Sequence, residues 1–521
     1  MHMGCTFYVG HMAFISSDDR TLAEAIARLT YCNPFLPERI ECEQQALGDA
    51  FVPGGTLWHA TGSPEPPLNV LALRERAGAL AERLAARLAK EHRPSAEDLQ
   101  LYEDVVIYAL FARFDDDFHG LIDERAATGS VPFYRKFRQD VERLLQRPRA
   151  QLASDVPHLF AGLFQIRRAF HYIFHNIIGN SAPIVRLRAT VWQSIFTRDM
   201  RRYRRSLYER MGDVATLVSG PSGTGKELVA QAIGLARYIP FDGERQAFVE
   251  NFSGSFYALN PSALSPTLIE SELFGHRRGA FTGAIQDRAG WLEVCRPLGT
   301  VFLDEIGELD PALQVKLLRV LQTRTFQRLG DTRDRRFHGK IIAATNRDLP
   351  SEMACGRFRK DLYYRLCSDI IVTPSLEEQL RAASGERGAL VRFLARRVAG
   401  DAEAEPLATE TERWIAAHLG DDYHWPGNVR ELEQCVRNVM IRGEYRPPRA
   451  ASVSARRRVA EEILAGSLSA DGLLRRYCTL VYAETGSYQE TARRLDLDRR
   501  TVKDKVDPEL LARLESEPGN E

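Results

Sequence analysis

The 521-residue sequence has no run of about 18 apolar residues, which excludes a membrane-spanning helix read from hydropathy. It has no excess charge: 70 Lys and Arg offset 70 Asp and Glu. That balance argues against a nucleic-acid partner only as an average, because a basic end can hide inside it. Cysteine is sparse, eight residues (Cys5, Cys32, Cys42, Cys295, Cys355, Cys367, Cys435 and Cys478) with no C-x-x-C pair. Scattered thiols without metal spacing suit a reducing, cytoplasmic setting. Met1 to Arg20 lacks a basic stretch followed by an apolar one, so no signal peptide is read. Internal repeats and long low-complexity tracts are also missing. What is present is ordinary globular composition, 44% hydrophobic and 27% charged, which excludes wholesale disorder. At roughly 150 residues per domain, the length predicts about three or four domains.

Residues 1–176 read as mostly helical. Leu71 to Lys90 is rich in strong helix formers, and Leu159, Leu163, Ile166, Phe170, Ile173 and Ile177 recur at spacings of three and four. Beyond Gly179 the texture changes. Short apolar runs at Ala215–Val218, Phe256–Leu259, Val301–Leu303 and Ile341–Ala344 alternate with helical stretches, the pattern of a parallel sheet covered on both faces. Helical patterning returns from Leu376 to Gly443. A linker rich in Pro and Arg follows, and a small helical unit closes the sequence.

Gly220-Pro221-Ser222-Gly223-Thr224-Gly225-Lys226 lies between an apolar strand and a helix-forming stretch. Glycines there let successive backbone N–H groups turn toward phosphate oxygens, and the helix N-terminus adds its dipole. Lys226 would reach the β- and γ-phosphates. The Walker A pattern expects Ser or Thr next, yet the residue is Glu227. Downstream, Val301-Phe302-Leu303 ends in Asp304-Glu305, two carboxylates at the end of a buried strand. Asp304 suits Mg²⁺ and Glu305 suits polarising an attacking water, a base role worth about 10²–10⁴ in rate. A third strand ends in Thr345-Asn346, bringing polar groups to the same edge.

Glu270-Ser271-Glu272-Leu273-Phe274-Gly275-His276, followed by Gly279-Ala280-Phe281-Thr282-Gly283-Ala284, resembles the GAFTGA region of sigma-54-dependent transcriptional activators, which are AAA+ ATPases also called bacterial enhancer-binding proteins. In that family Glu commonly follows the P-loop Lys, so Glu227 fits. The resemblance runs from about Ile177 to Arg442 and resumes at the C-terminal unit. It implies that Gly220 to Glu227 bind ATP, with Asp304 holding Mg²⁺ and Glu305 activating water. It further implies that Asn260 restrains the catalytic Glu, that Thr345 and Asn346 form a first sensor, and that Arg359 and Arg365 are arginine fingers given to a neighbouring subunit. Arg430, in Trp425-Pro426-Gly427-Asn428-Val429-Arg430, resembles a second sensor in the helical lid, and Gly279 to Ala284 would contact sigma-54.

Several positions depart from the family pattern. Asn260 is followed by Pro261, and an extra segment lies near Arg237–Ser253. Another, Thr197–Gly212, carries Arg198, Arg201, Arg202, Arg204, Arg205 and Arg210. That run reads as a solvated helix face, with phosphate or inter-subunit contact as the alternative. Pro374-Ser375-Leu376-Glu377-Glu378 replaces the usual Pro-Pro-Leu-Arg-Glu and bears on how the lid docks.

At the C-terminal end, a helix over Leu473–Thr485, a capped helix opening at Ser487-Tyr488-Gln489-Glu490 and a turn at Asp496–Asp498 lead to Arg499-Arg500-Thr501-Val502-Lys503-Asp504-Lys505. This resembles the Fis-type helix-turn-helix of the same activators, without the usual turn glycine. Residues 446–506 hold 13 basic and 8 acidic residues, so the neutral average does conceal a basic end. Arg499, Arg500, Thr501, Lys503 and Lys505 are the DNA-contact candidates; a helical oligomerisation unit is the alternative.

The N-terminal third is less informative. No strand ending in paired acids opens it, as a phosphorylated receiver domain would require. His171 and His175 stand four apart but read as core or surface histidines, and Asp115-Asp116-Asp117 reads as a solvated loop.

The expected fold class is α/β: an AAA+ P-loop doubly wound parallel sheet with a helical lid, a mainly helical N-terminal module and a C-terminal helix-turn-helix. The expected divisions are 1–176 regulatory module, 177–372 ATPase core, 373–444 lid, 445–470 linker and 471–521 DNA-binding domain. The resemblance implies a cytoplasmic activator that binds double-stranded DNA, forms a ring, expected to be a hexamer, and remodels the RNA polymerase–sigma-54 closed complex with ATP. A remodelling chaperone acting on other proteins and a repressor that binds nucleotide without hydrolysis are the alternatives.

Overall fold

The computed structural model describes residues 14–54, 67–90, 94–123, 130–145, 155–251, 254–260, 265–383, 385–420, 423–447, 455–464, 466 and 468–515. Pro261 and linker residues 448–454, both singled out in the sequence, lie outside them. The chain divides into two compact units, Met1–Met440 and Ile441–Glu521.

The first unit opens with six helices: α1 (Ser17–Tyr31), α2 (Pro37–Leu47), α3 (Leu68–Ala89), α4 (Ala96–Asp123), α5 (Tyr134–Leu145) and α6 (Val156–Asn176). Asp155 caps α6 by accepting from the His158 N–H. Leu159, Leu163 and Ile173 of the predicted stripe are buried. Asp115 is not in a loop: it lies within α4, is 5% exposed and pairs with Arg74 and Arg167. His171 stacks on His175 and meets the His119 ring at a tilt, and no cluster of three or more metal-ligating side chains occurs among the described residues.

After α7 (Ala182–Phe196) comes a five-stranded parallel sheet: β1 (Thr216–Ser219), β2 (Phe256–Leu259), β3 (Thr300–Leu303), β4 (Lys340–Thr345) and β5 (Asp369–Val372). Its order is β5-β1-β4-β3-β2. The central strands are β-rich in character and buried along their length, as a sheet covered on both faces requires. Strand β5, Asp369-Ile370-Ile371-Val372, is an edge strand with Ile371 buried and Ile370 and Val372 exposed. Helix α8 (Lys226–Leu235) follows β1 directly, and α9 (Pro266–Phe274), α10 (Pro311–Thr323) and α11 (Lys360–Leu366) complete the α/β part. The stretch expected as the lid forms α12 (Leu376–Ala382), α13 (Glu386–Ala399), α14 (Ala404–His418) and α15 (Asn428–Arg442). Ser375 and Glu378 form a reciprocal capping box that starts α12, which accounts for the departure there.

The helical module and the α/β part share a core. The extra segment forms a hairpin, Phe241–Asp242 paired with Ala247–Phe248. Phe241 and Phe248 enter the same buried cluster as Phe118, Phe137, Phe160 and Phe164. Helix α6 also packs along α8, with Ala169 and Ile173 in one cluster with Val229 and Ile233. The arginine-rich extension is not uniformly solvated. Arg201 pairs with Asp104, which is 0% exposed, and the Arg201 and Arg204 guanidinium groups lie over the Tyr31 ring at 4.1 and 5.5 Å.

The second unit contains α16 (Ala455–Leu464), α17 (Ala470–Thr485), α18 (Tyr488–Leu495), α19 (Arg499–Lys505) and α20 (Pro508–Glu515). Cys478, Thr479, Val481, Val502, Leu510 and Leu514 are buried within it.

Candidate functional site

Three strands deliver their C-terminal ends to one edge of the sheet. The loop Gly220–Gly225 joins β1 to α8, and three of its glycines take positive φ: Gly220 at 145°, Gly223 at 79° and Gly225 at 86°. Two are fixed by close approach as well as by conformation. A Cβ on Gly220 would stand 2.2 Å from Thr373 Oγ1, and one on Gly223 would stand 2.3 Å from the Gly427 carbonyl oxygen. The loop is therefore clasped between the end of β5 and the start of α15. Thr224 Oγ1 shares a hydrogen bond with Thr373 Oγ1 at 2.6 Å, and Asn428 Nδ2 donates to the Ser222 carbonyl at 2.9 Å.

Lys226, at the first position of α8, is 7% exposed. Its ammonium donates to the carbonyls of Gly220 and Pro221 at 3.1 and 3.2 Å. Burial lowers its pKa, against the opposing pull of Glu305 and Asp304. A cation in this position is held by neutral carbonyls and faces two carboxylates, an arrangement suited to polyphosphate. Glu227 follows it on the helix and lines the same cavity.

Asp304 and Glu305 follow β3. Glu305 has φ 45° and ψ 51°, a left-handed conformation that costs a non-glycine residue about 1–3 kcal/mol. Its Oε2 accepts from the Asn346 backbone N–H at 3.1 Å, while Asp304 Oδ1 accepts from the Glu305 N–H at 3.0 Å. The strain thus aims two adjacent carboxylates in different directions. Asn260 Nδ2 donates to Asp304 Oδ2 at 3.5 Å, so this bond engages the neighbour of Glu305, and the contact to Glu305 comes from the Asn346 backbone N–H. Thr345 is 1% exposed; its Oγ1 accepts from the Arg347 N–H, and its carbonyl accepts from the Gly220 N–H at 3.3 Å.

These groups line a cavity of about 810 Å³. Ser222 to Glu227, Asn260, Asp304 and Glu305 form its polar end, and Arg430 enters from the lid, with Nη1 3.3 Å from Ser222 Oγ. The opposite end is apolar: Ile177, Ile178, Ile184, Leu187 and Leu390. Sequence reading missed this end, because no local pattern marks apolar residues drawn from helices far apart in the chain. It also missed Arg396 and Arg397 of α13, which line the cavity; Arg397 pairs with Glu433. Asn428 was legible only as part of the Trp425–Arg430 run, although its φ of 53° and its bonds to Ser222 and to the Leu376 N–H join the lid to the phosphate loop.

Arg359 and Arg365 do not line this cavity. Both are exposed, and Arg359 makes a bidentate pair with Asp361, at 3.0 and 2.7 Å. Gly279 to Ala284 form a tight turn closed by the Gly279 N–H donating to the Ala284 carbonyl at 2.8 Å. Ala280 lies against Gly330, and the half-buried Phe281 ring meets His276 edge-on at 5.0 Å. Thr282 and Gly283 are exposed, as is Ile285 beyond them, at 84%. Arg277 holds the base of the turn through Asp287 at 2.6 Å and Asp331 at 3.4 Å.

In the second unit Asp496 takes φ 53° where a turn glycine was expected, and Asp498 caps α19 by accepting from the Arg500 N–H at 2.7 Å. Ser487 likewise caps α18. Arg499, Arg500 and Lys503 are exposed and Thr501 is half-buried. Lys505 stands apart from this set, because its ammonium pairs with Asp471 of α17.

Residues 196–371 match the family model of the sigma-54 interaction domain. The chain is 46% identical over 228 residues to a Nif-specific regulatory protein of Azotobacter vinelandii, covering 44% of this chain and 40% of that protein. It is 43% identical over 231 residues to the hydrogenase transcriptional regulatory protein HoxA of Bradyrhizobium diazoefficiens, covering 44% and 43%. With the transcriptional regulatory protein GlrR of Escherichia coli it shares 44% identity over 228 residues, covering 43% and 47%. The chain thus spans under half the length of each of these relatives.

Proposed function

We propose, from the premise that residues 196–371 carry a sigma-54 interaction domain, that this chain is an ATP-driven, sigma-54-dependent transcriptional activator. The observation that carries the proposal is the convergence of Lys226, Asp304, Glu305 and Arg430 with the glycine loop around one cavity. Backbone N–H groups at the start of α8 and the Lys226 ammonium match a polyphosphate, and the apolar end matches a heteroaromatic base. Asp304, with its carboxylate at the polar end, would hold Mg²⁺, which neutralises phosphate charge when bound. Glu305 takes the proton of the attacking water, and the Asn346 N–H orients its carboxylate for that step. Arg430 stabilises charge on the phosphates from the lid.

Arg359 and Arg365 are exposed and away from their own chain's cavity, which supports their use as fingers toward a second copy in a ring, with a hexamer as the proposed assembly. Such a finger contributes about 10³–10⁵ in rate. The exposed Thr282 edge of the turn supports contact with sigma-54 in RNA polymerase holoenzyme. Arg499, Arg500, Thr501 and Lys503 support reading of double-stranded DNA by α19, with phosphate contacts supplying most of the affinity. In this reading residues 1–176 regulate the ATPase and the protein works in the cytoplasm; no helix among the described residues is long and apolar enough to cross a membrane.

The test is ATP hydrolysis by the full chain and by Lys226→Ala. The wild type is expected to release phosphate and the variant to lose nucleotide binding. A wild-type chain that binds ATP without turnover would return the repressor alternative.

A further inference from the structure

A second cavity, of about 160 Å³, lies where α6 and the end of α8 meet the segment Tyr203–Gly212. Two cations line it. Lys340, the first residue of β4, is 2% exposed and donates to the carbonyls of Val214 and Met211 at 2.7 and 3.4 Å. Arg237, just beyond α8, is half-buried and donates to the Gly299 carbonyl. Among the described residues neither makes an ion pair with a carboxylate within 4.0 Å. The acids that act on them from farther away are Asp369 and Glu250, and Asp369 is already engaged by Ser194 at 2.5 Å and Thr216 at 3.0 Å.

Two positive charges facing one space, Lys340 buried and Arg237 half-buried, repel each other, and neutral carbonyls offset only part of the cost of removing them from water. The remaining walls are aromatic and aliphatic: Tyr208, Tyr238, Ile195, Ile233 and Leu298. Tyr203 and Gln165 hydrogen-bond to each other at 2.7 Å, and Glu209 is exposed at the rim. The space is close to that of a cavity known to hold benzene, about 150 Å³.

We propose that this cavity binds a small organic carboxylate. The anionic group sits between Arg237 and Lys340, and an apolar body of about benzene size rests against Tyr208, Ile195 and Leu298. An anion there offsets both charges and forms charge-assisted hydrogen bonds with each. Burial lowers both pKa values, Lys340 to about 7 and Arg237 to about 10, in line with cations that lack a counter-ion. The proposal does not depend on what the larger cavity around Lys226 does, so either can fail without the other.

The test uses the full chain with three probes, sodium benzoate, benzyl alcohol and inorganic phosphate, followed by thermal unfolding and calorimetric titration. Benzoate is expected to raise the unfolding midpoint saturably, and the other two to leave it unchanged. Arg237→Gln should weaken benzoate binding by about tenfold or more. Leu298→Trp, at the half-buried wall, should abolish it by filling the space while ATP binding is retained, which keeps the test decisive if Arg237→Gln does not fold. No response to benzoate, an equal response to benzyl alcohol, a response to phosphate alone, or unchanged benzoate affinity in Leu298→Trp would each overturn the proposal.

Discussion

Replacing Phe248 by alanine probes the joint between the helical module and the α/β part. Phe248 belongs to a hairpin inserted between α8 and β2, yet it is 7% exposed and its contacts are mostly with the helical module. Its ring centroid is 4.7 Å from Phe164, 5.0 Å from Phe241 and 6.1 Å from Phe160. Truncation to alanine removes the transfer energy of the ring and leaves a cavity, together about 3–5 kcal/mol. The aromatic geometry accounts for about 0.5–1.5 kcal/mol per pair within that sum. Urea unfolding of the full chain, read by far-ultraviolet circular dichroism, measures the loss. The shared core predicts that helical and α/β signals move to lower urea together. A loss under about 1 kcal/mol, the size of an ordinary substitution, would refute the reasoning. So would an α/β transition that keeps its midpoint while the helices melt early. By the same logic a chain starting near Asn176 leaves Phe241 and Phe248 uncovered and should aggregate, rather than report cleanly on an isolated motor.

Other outcomes follow from the site and the charges. Glu305→Gln should bind ATP with near wild-type affinity and hydrolyse it about 10²–10⁴-fold more slowly in a phosphate-release assay; a near-normal rate would exclude Glu305 as the base. Burial depresses the Lys340 pKa from 10.5 to about 7, so the unfolded chain binds more protons between those values and stability should rise with pH from about 7 to 10.5. Below pH 7 both states are protonated and this contribution is flat. Lys340→Met should flatten that part of a stability-versus-pH curve, and an unchanged slope would contradict the assignment. Arg500→Ala should weaken DNA binding and reduce the salt slope by about 1, whereas Lys505→Ala should leave the slope nearly unchanged because its ammonium is paired with Asp471. Equal effects of the two on a filter-binding titration would argue against the division.

The strands bearing Gly220, Asp304 and Thr345 were legible because each is a short apolar run ending in polar chemistry, and a buried parallel sheet demands that pattern. The edge strand Asp369–Val372 was not read, although Ile370-Ile371-Val372 is a short apolar run of the same kind. Helix α18 was legible from its Ser487 cap and α19 from the basic run after the Asp496–Asp498 turn, since capping is local chemistry; that Asp498 itself caps α19 was not read. Long-range pairings were beyond local patterning. Arg201 looked solvated among its arginine neighbours, but its partner Asp104 lies 97 residues earlier. Asp115 looked like part of a loop because three consecutive acids favour water, yet Arg74 and Arg167 neutralise it inside α4. The apolar end of the nucleotide-sized cavity draws Ile177, Leu187 and Leu390 from three separate helical regions, so no single stretch announced it.

The central claim is that ATP turnover at the Lys226–Glu305 site is transmitted through the Phe281-Thr282 turn to sigma-54. The most direct measurement is promoter strand opening by sigma-54 RNA polymerase holoenzyme with the full chain and ATP, compared with Thr282→Ala, while phosphate release is followed in the same samples. The account predicts that the wild type opens the promoter only with hydrolysable ATP, and that Thr282→Ala keeps much of its ATPase but opens nothing. Promoter opening by Thr282→Ala at the wild-type level would contradict it.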